Sequence, residues 1–216
     1  MKIGIIGSGI VGQVLAKGFK SEGHEVVVGT RNPDKEELKN FKIENHSIGI
    51  ATFEESTLNA ELLVLATAGN VVEEAIRMAG LHNFKGKVVI DATNPIDPHN
   101  PPVNGVLRFY TEANSSLLER IQKLIPDAKL VKAFNSVGNA VMYKPNLVEG
   151  TPTMFICGND DEAKKIVTRI LVSFGWESED MGKAEAAGAI ESLCILWCIP
   201  GFLRNSWGHA FKMLKS

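Results

Sequence analysis

Cysteine and long apolar segments are scarce in this chain of 216 residues. Its three cysteines, Cys157, Cys194 and Cys198, are an odd number in a chain of ordinary size, so we expect a reducing compartment and no disulfide framework. No uninterrupted apolar run reaches the roughly 18 residues that indicate a membrane span, and the N-terminal segment is too rich in glycine for a signal peptide. The sequence therefore predicts a cytoplasmic protein without a membrane partner.

The sequence also lacks an excess of either charge. Lys and Arg total 23, Asp and Glu total 25, and the formal net charge is -2. A chain with this balance has no broad basic field for nucleic acid or for a membrane surface. Any anionic ligand must therefore be met by a local group of cations, and the expected partner is a small molecule.

Signatures of metal binding and of nucleophilic catalysis are missing as well. The five histidines are scattered, and no pair has the spacing of metal ligands. Cys194 and Cys198 lie four residues apart within the apolar run SLCILWCIPGF, which favours buried thiols over metal ligands. No G-x-S-x-G or Cys/His signature is present. We therefore expect neither a metal site nor a dedicated catalytic side chain.

Short runs rich in Val, Ile and Leu alternate with longer segments of helical period, the pattern of a parallel sheet with crossover helices. Strands are predicted over residues 2–6, 25–29, 47–50, 62–66, 87–91, 129–134 and 153–157. Helices are predicted over residues 11–21, 35–40, 53–58, 71–79, 114–123 and 161–172. The expected fold class is α/β, a Rossmann-type doubly wound and mainly parallel sheet with a short C-terminal helical and strand extension.

The last part of the chain contains the strand-like run GWESEDMG and the helical run KAEAAGAIESLCILWCI. We expect this helix to break at Pro200-Gly201, before a last amphipathic stretch that reaches Lys215. Because large apolar patches are rarely left in water, the run from Cys194 to Leu203 should be mainly core, with part of it buried in a homodimer.

The loop Gly7-Ser8-Gly9-Ile10-Val11-Gly12 has the pattern G-x-G-x-x-G. Alone the pattern is weak, but here it follows an apolar strand and opens an amphipathic helix, which is the context of a dinucleotide-binding turn. Gly7 permits the tight turn, Gly9 lets a pyrophosphate approach the backbone, and Gly12 lets the helix pack on the strand. Amides at the helix start would meet the phosphates. The alternative is a glycine turn that binds nothing.

The end of the second predicted strand indicates which dinucleotide is bound. An NAD-binding protein has an Asp or Glu about 20 residues after the glycine loop, whereas this chain has Thr30, Arg31 and Asn32. A hydroxyl and a guanidinium match the acceptor oxygens of a 2′-phosphate, and Lys35 can add a second positive charge. These residues predict NADP(H) as the cofactor, the alternative being that Arg31 and Lys35 are ordinary solvated charges.

With these residues in place, the chain resembles the deazaflavin-dependent NADP oxidoreductases, which transfer hydride between NADP(H) and coenzyme F-420 (F420). It is also similar to the cytoplasmic NADPH-binding domain of the six-transmembrane metalloreductases. The resemblance extends over seven segments in the same order: IGIIGSGIVGQVLAKGF, HEVVVGTRNPDK, LLVLATAGN, VVIDATNP, LVKAFNSVGNAVM, MFICGNDDEAKKIV and MGKAEAAGAIESL.

The resemblance implies roles for particular residues. The glycine loop with Ser8 would hold the cofactor together with Thr30, Arg31 and Lys35. Residues at the ends of the fourth and fifth strands would flank the nicotinamide riboside: Ala66, Thr67 and Ala68, and Thr93, Asn94 and Pro95. Asn135, within FNSVGN, would lie at the floor of the pocket for the second ring system. Glu191 resembles a family position, but we expect it to be a solvated or capping charge.

One position departs from the best-known deazaflavin enzymes, which carry a His where this chain has Asn135. The metalloreductase domains carry FN, as here. Asn135 therefore either contacts a redox partner, such as F420, FAD or FMN, or serves as a structural amide at a strand end. The expected activity is hydride transfer between NADPH and such a small-molecule acceptor, with the cofactor performing the chemistry.

These expectations divide the chain into two parts. Residues 1–150 are the predicted NADP-binding Rossmann domain, and residues 151–216 are an extension that completes the sheet and forms the acceptor and dimer region. Two alternatives stay open. One is a reductase of imines or 3-hydroxy acids, although only about 30 residues follow the last strand-like run, too few for the helical domain of those enzymes. The other is a non-catalytic NADPH-binding sensor or regulatory module.

Overall fold

The computed structural model describes residues 1–215 and alternates strands with helices, as the sequence predicts. The strands are β1 (Lys2–Ile6), β2 (Glu25–Thr30), β3 (Gly49–Thr52), β4 (Leu62–Leu65), β5 (Val88–Asp91), β6 (Lys129–Lys132), β7 (Thr153–Ile156) and β8 (Glu177–Asp180). The α-helices are α1 (Ile10–Ser21), α2 (Lys39–Glu44), α3 (Phe53–Leu58), α4 (Gly69–Ala79), α5 (Leu117–Leu124), α6 (Asp161–Ser173) and α7 (Ala187–Arg204).

The first six strands form one parallel sheet in the order β3-β2-β1-β4-β5-β6. The register places Ile6 beside Leu65, Leu65 beside Asp91, and Asp91 beside Lys132, so four strands end at the same edge. The strand order reverses between β1 and β4, where sheets of this kind open a crevice for ligands. The predicted doubly wound α/β fold is therefore confirmed.

Apolar layers cover both faces of this sheet. Ile5 of β1 packs in one layer with Phe19 of α1 and with Phe174, and the rings of Phe19 and Phe174 lie 4.9 Å apart. Ile6, the next residue of β1, packs in the other layer with Val72 of α4. Successive side chains of a strand point to opposite faces. The central strands are therefore apolar at nearly every position, which is typical of a sheet buried on both sides.

Side chains determine where some helices begin, but not where α1 and α4 begin. The Thr52 hydroxyl accepts a bond from the Glu55 amide at 3.2 Å, and the Glu55 carboxylate accepts one from the Thr52 amide at 2.9 Å, a capping box for α3. Neither α1 nor α4 has a side-chain cap. Because the first amides of a helix have no partner within it, those of α1 and α4 can bind an acceptor from outside.

The C-terminal segment does not complete the central sheet, contrary to our expectation. Strands β7 and β8 pair with each other in parallel as a separate two-stranded sheet. Within residues 1–215, their pairing with the central sheet is limited to an isolated antiparallel bridge between Lys132 and Cys157. The backbone after β6 explains this limit, because Phe134 adopts a left-handed conformation with φ of 64° that ends extended pairing.

Helix α7 continues through Pro200 to Arg204, so the predicted break at Pro200-Gly201 is wrong. A proline inside a helix loses a hydrogen bond and costs about 3 kcal/mol, but burial of this helix offsets that cost. Gly201 is buried directly under the ring of Trp207, where a larger residue would collide with the indole. The helix is capped by Asn205, which is left-handed with φ of 53°.

Residues 205–215, the predicted amphipathic stretch, form neither a helix nor a strand. They lie along the two-stranded sheet, where the Thr153 amide donates to the Phe211 carbonyl at 2.9 Å and Lys212 pairs with Glu177. Backbone bonding to the edge of β7 replaces the bonds that a helix would make within itself.

Because α7 is unbroken, Ala184–Arg204 is long and apolar enough to cross a membrane, contrary to the expectation that no segment is. Ala187, Ile190, Cys194 and Trp197 of this helix are buried against the rest of the protein. A core helix meets the same criteria of length and composition, so the criteria alone do not indicate a membrane span.

The three cysteines are buried free thiols. Burial raises the pKa of Cys157 to about 12, so this thiol stays protonated at neutral pH and is a poor nucleophile. Cys194 and Cys198 lie within the apolar contacts of α7, as the run SLCILWCIPGF predicts.

The outward face of α7 supports a testable prediction about assembly. Ala189, Ser192, Leu196 and Leu203 are exposed and uncharged, and a face of this kind is where we expect a second copy of the chain to pack. Light scattering should give twice the 23.5 kDa mass of one chain. Leu196→Asp should yield monomers, because pairing would bury its charge.

Val172→Asp is the matched control, since Val172 is 63% exposed on α6, away from this face, and it should leave the dimer intact. A wild-type mass of one chain would rule the dimer out.

Candidate functional site

The backbone around the three glycines of the loop after β1 has the close packing that the sequence predicts at Gly7 and Gly12, and open space at Gly9. Gly7 has φ of 130°, and a side chain there would approach the Ala66 carbonyl oxygen to 2.5 Å. A side chain at Gly12 would collide with the carbonyl of Gly7, so α1 packs closely on the end of β1. Around Gly9, a side chain would meet no heavy atom within 4 Å. The loop is therefore closed toward the sheet and open at Gly9.

The turns that follow β1, β4, β5 and β6 lie side by side at one edge of the sheet. The Ala66 amide donates to the Ile6 carbonyl at 2.8 Å, and the Ala92 amide donates to the Leu65 carbonyl at 3.1 Å. Parallel pairing thus continues one step beyond the strand ends. This pairing brings together the segments after β1, β4 and β5, to which the resemblance assigns contacts with the cofactor.

An open cleft lies between the turns after β1, β2 and β4. Nine of the predicted residues line it: Gly7, Ser8, Gly9, Thr30, Arg31, Lys35, Ala66, Thr67 and Ala68. Ile10, Val11 and Gly12 form the first turn of α1 behind the loop. The structure thus brings most of the predicted residues into one cleft.

The cleft also has a wall that sequence reasoning missed: Phe53, Val71, Glu74, Ala75 and Met78. Val71, Ala75 and Met78 recur at helical spacing on α4, a period that could have revealed one apolar face. That face would have been interpreted as core, although Met78 is 46% exposed. The structure shows that it is the apolar side of the cleft.

Two cations stand at the end of β2 without a carboxylate partner. Among residues 1–215, neither Arg31 nor Lys35 forms an ion pair, whereas the neighbouring Lys39 pairs with Glu36 at 2.6 Å. Thr30 is buried beside them. The Asn32 side-chain oxygen accepts a bond from the Asp34 amide at 3.0 Å, a turn that places Lys35 on the cleft.

The residues of the cleft fit a phosphorylated dinucleotide. Open space at Gly9 beside the uncapped start of α1 suits a pyrophosphate, since helix N-termini bind anions. The Thr67 hydroxyl is buried and has no partner within the described residues. Buried polar groups are normally hydrogen-bonded, so this hydroxyl is available to a ligand.

Asn94 and Asn135 form a bonded pair beyond the cleft. The Asn94 amide donates to the Asn135 backbone carbonyl at 2.8 Å, and the Asn135 amide donates to the Asn94 side-chain oxygen and to the Ile190 carbonyl, each at 3.0 Å. Pro95 follows, and its carbonyl accepts from the Tyr110 amide at 2.9 Å. The nitrogen of the Asn135 side chain therefore has a structural role. Its oxygen is buried and has no partner in residues 1–215.

A buried ion cluster next to this pair was missed by sequence reasoning. Lys132 is fully buried, and its ammonium lies 2.6 Å from the Asp91 carboxylate and 2.8 Å from the Glu191 carboxylate. Burial opposes the charge of Lys132, but the two carboxylates outweigh it and raise its pKa. The available signal was a charged residue at the end of each of two apolar strands, VVID and KLVK.

The expectation that Glu191 is a solvated charge is wrong, because it is 1% exposed. Its carboxylate accepts bonds from the amides of Leu117 and Leu118 at 3.0 and 3.1 Å. Glu191 lies on α7, but it caps the start of a different helix, α5.

Comparison with known proteins relates this chain to NADP-dependent oxidoreductases. The family model "NADP oxidoreductase coenzyme F420-dependent" matches residues 2–95. The crystal structure of a candidate F420-dependent NADP reductase from Arthrobacter sp. FB24 is 31% identical, covers both chains completely and superimposes with a TM-score of 0.93. The F420-dependent NADP reductase of Methanocaldococcus jannaschii is 27% identical over 89% of each chain.

The metalloreductase STEAP3 of Rattus norvegicus is also similar, with 28% identity over 94% of this chain but 39% of its own length. This chain thus spans about two-fifths of that longer protein. The Arthrobacter structure matches this chain over its full length, and the family model matches residues 2–95. Together they show which family the chain belongs to. The chain belongs to the family of coenzyme F420-dependent NADP oxidoreductases.

Proposed function

We propose that this protein binds NADP(H) in the cleft and exchanges hydride between it and a flavin or a deazaflavin of the F420 type. The observation that carries the proposal is the end of β2, where Arg31 and Lys35 face the cleft without an acidic partner. An acidic residue at this position would select NAD, and cations select the 2′-phosphate of NADP.

The parts of the dinucleotide can be assigned to the cleft and to the turn after β5 beside it. The backbone at Gly9 and the first amides of α1 would hold the pyrophosphate. Thr30, Arg31 and Lys35 would hold the 2′-phosphate, and Met78 of the α4 wall would contact the adenine. The segments after β4 and β5, with Thr67 and Asn94, would flank the nicotinamide riboside.

The bound nicotinamide supplies the hydride chemistry, so no side chain has to act as nucleophile, acid or base. The protein's contribution is to fix one ring, exclude water from it and leave its other face open to the acceptor. The buried oxygen of Asn135 is a hydrogen-bond acceptor suited to this end of the site. The relatives described as F420-dependent reductases favour a deazaflavin, and FAD and FMN present a similar tricyclic ring. We infer that the reaction takes place in the cytoplasm, where free thiols such as Cys157 persist.

Arg31→Ala tests the choice of cofactor. The variant should lose about 1.5 to 3 kcal/mol of NADPH binding, the value of a hydrogen bond to a charged group, which is roughly a 10- to 150-fold rise in Kd. Its affinity for NADH, which lacks the 2′-phosphate, should not change. Titration of both nucleotides by fluorescence measures the two values.

Lys39→Ala is the matched control, since Lys39 is an exposed cation of the same segment that pairs with Glu36 outside the cleft. It should bind NADPH like the wild type. Equal wild-type affinity for NADPH and NADH would contradict the proposal.

Gly9→Asp tests the position of the pyrophosphate. The substitution should keep or raise the stability of the fold while lowering the affinity for NADPH. Aspartate is a favourable residue at a helix N-cap, and the space at Gly9 is open, so the melting temperature should be maintained or raised. NADPH binding should fall by more than about 100-fold, because the new carboxylate occupies the place of the phosphates and replaces hydrogen bonds of about 1.5 to 3 kcal/mol each.

Gly208→Asp, at an exposed glycine that also has open space around it, should leave binding unchanged. Wild-type affinity in Gly9→Asp would show that the phosphates bind elsewhere.

The acceptor is tested by mixing NADPH and the protein with F420, FAD, FMN or riboflavin and following the absorbance of NADPH. We expect turnover with at least one of these, because each presents a planar ring that can stack on the nicotinamide at about 3 to 3.5 Å. Tight NADPH binding without turnover of any acceptor would instead indicate a sensor. If none of these acceptors is turned over but a cyclic imine added in their place is, the protein is an imine reductase.

A further inference from the structure

The ion cluster of Asp91, Lys132 and Glu191 has no free hydrogen-bonding group on its ammonium. Lys132 has three N–H donors, and it has three acceptors: Asp91 at 2.6 Å, Glu191 at 2.8 Å and the Thr93 carbonyl at 3.0 Å. Each of the three residues is at most 1% exposed. The cluster is therefore closed, with every N–H donor of the ammonium bonded inside the protein.

The cluster holds the turn after β5 at three points. The Asp91 carboxylate accepts from the Thr93 amide at 2.9 Å and from the Thr93 hydroxyl at 2.6 Å, while Lys132 donates to the Thr93 carbonyl. All polar groups of Thr93 are thus fixed by charged partners, and such bonds are stronger than those between neutral groups.

The same cluster adjoins both anchors of the Asn135 side chain. Asn94, the residue after Thr93, accepts one bond from the Asn135 amide, and Ile190, the residue before Glu191, accepts the other. With both N–H groups engaged in this way, rotation of the amide is blocked. The Asn135 oxygen is left buried and unpartnered within the described residues.

Stability alone does not call for such a cluster. Replacing buried ion pairs with apolar residues of similar volume is often neutral or stabilising, and the surrounding layers of this sheet are apolar. This charged cluster lies at the strand ends, and its chain neighbours Asn94 and Ile190 bond the side chain that carries an unpartnered acceptor. The arrangement suggests a role in the site.

We propose that Asp91, Lys132 and Glu191 form a positioning device for the nicotinamide end of the site. The cluster fixes Thr93 and Ile190, and through Asn94 and Ile190 it fixes Asn135, whose oxygen accepts a hydrogen bond from an amide or imide N–H of the bound redox pair. This inference rests on the proposed function. The donor is either the carboxamide of the nicotinamide or the ring N–H of the flavin or deazaflavin, which share this chemistry.

The test compares the two ends of the dinucleotide. The compound 2′,5′-ADP contacts only the end near Arg31, whereas NADPH also contacts the end near Asn135. In Glu191→Gln and Lys132→Met, affinity for 2′,5′-ADP should stay within about twofold, while affinity for NADPH or for FMN should fall at least about fivefold, the effect of one lost hydrogen bond. Which of the two ligands is affected identifies the source of the N–H donor.

Lys164→Met is the matched control, because Lys164 is also buried and bonded to two carboxylates, Asp180 at 2.8 Å and Asp161 at 3.1 Å, in the C-terminal segment. It should lower the melting temperature without changing the affinity for any of the three ligands. Adding Asn135→Ala to Glu191→Gln should weaken binding no further, because the two residues act through one contact.

If Lys132→Met does not fold, Glu191→Gln decides the question. Unchanged affinity for both NADPH and FMN in Glu191→Gln, or an equal loss of 2′,5′-ADP binding, would show that the cluster is merely structural and overturn the proposal. Failure of the proposed function would look different, because the wild-type protein itself would then bind neither 2′,5′-ADP nor NADPH.

Discussion

The close packing of the turn after β1 is the constraint on which the site depends. Gly7 lies against the end of β4, and Gly12 lies against the carbonyl of Gly7, at distances that exclude a side chain at either position. This packing fixes the start of α1 at the point where the strand order reverses. Its uncapped amides consequently face the crevice, where backbone dipoles favour an anion.

The two ends of the site use charge in opposite ways. At the end near β2, Arg31 and Lys35 are unpaired within residues 1–215 and lie next to solvent, so they can exchange water for a phosphate. At the end near β5 and β6, the charges of Lys132 and its partners are buried and fully bonded, so they cannot bind a ligand. One end can supply affinity and selectivity for the cofactor, and the other can supply a rigid frame for the reacting ring.

Local patterns in the sequence predicted the central strands, the glycine loop and the cationic end of β2, because each depends on neighbouring residues. The cluster around Lys132 could not be predicted in this way, since Asp91 and Lys132 are 41 residues apart and Glu191 bonds to an amide 74 residues away. Pro200 misled the prediction because burial of α7 outweighed a local preference. The separation of β7 and β8 from the central sheet was not predicted, because the left-handed backbone at Phe134 follows from no composition rule.

The central claim is that the cleft beside β2 holds the 2′-phosphate of NADP(H). The most direct measurement is a crystal structure of the protein with NADP⁺ bound. The account predicts phosphate oxygens within about 3 Å of Arg31 and Thr30, with the pyrophosphate over Gly9. A dinucleotide bound with its 2′-phosphate in solvent, or bound outside this cleft, would contradict it.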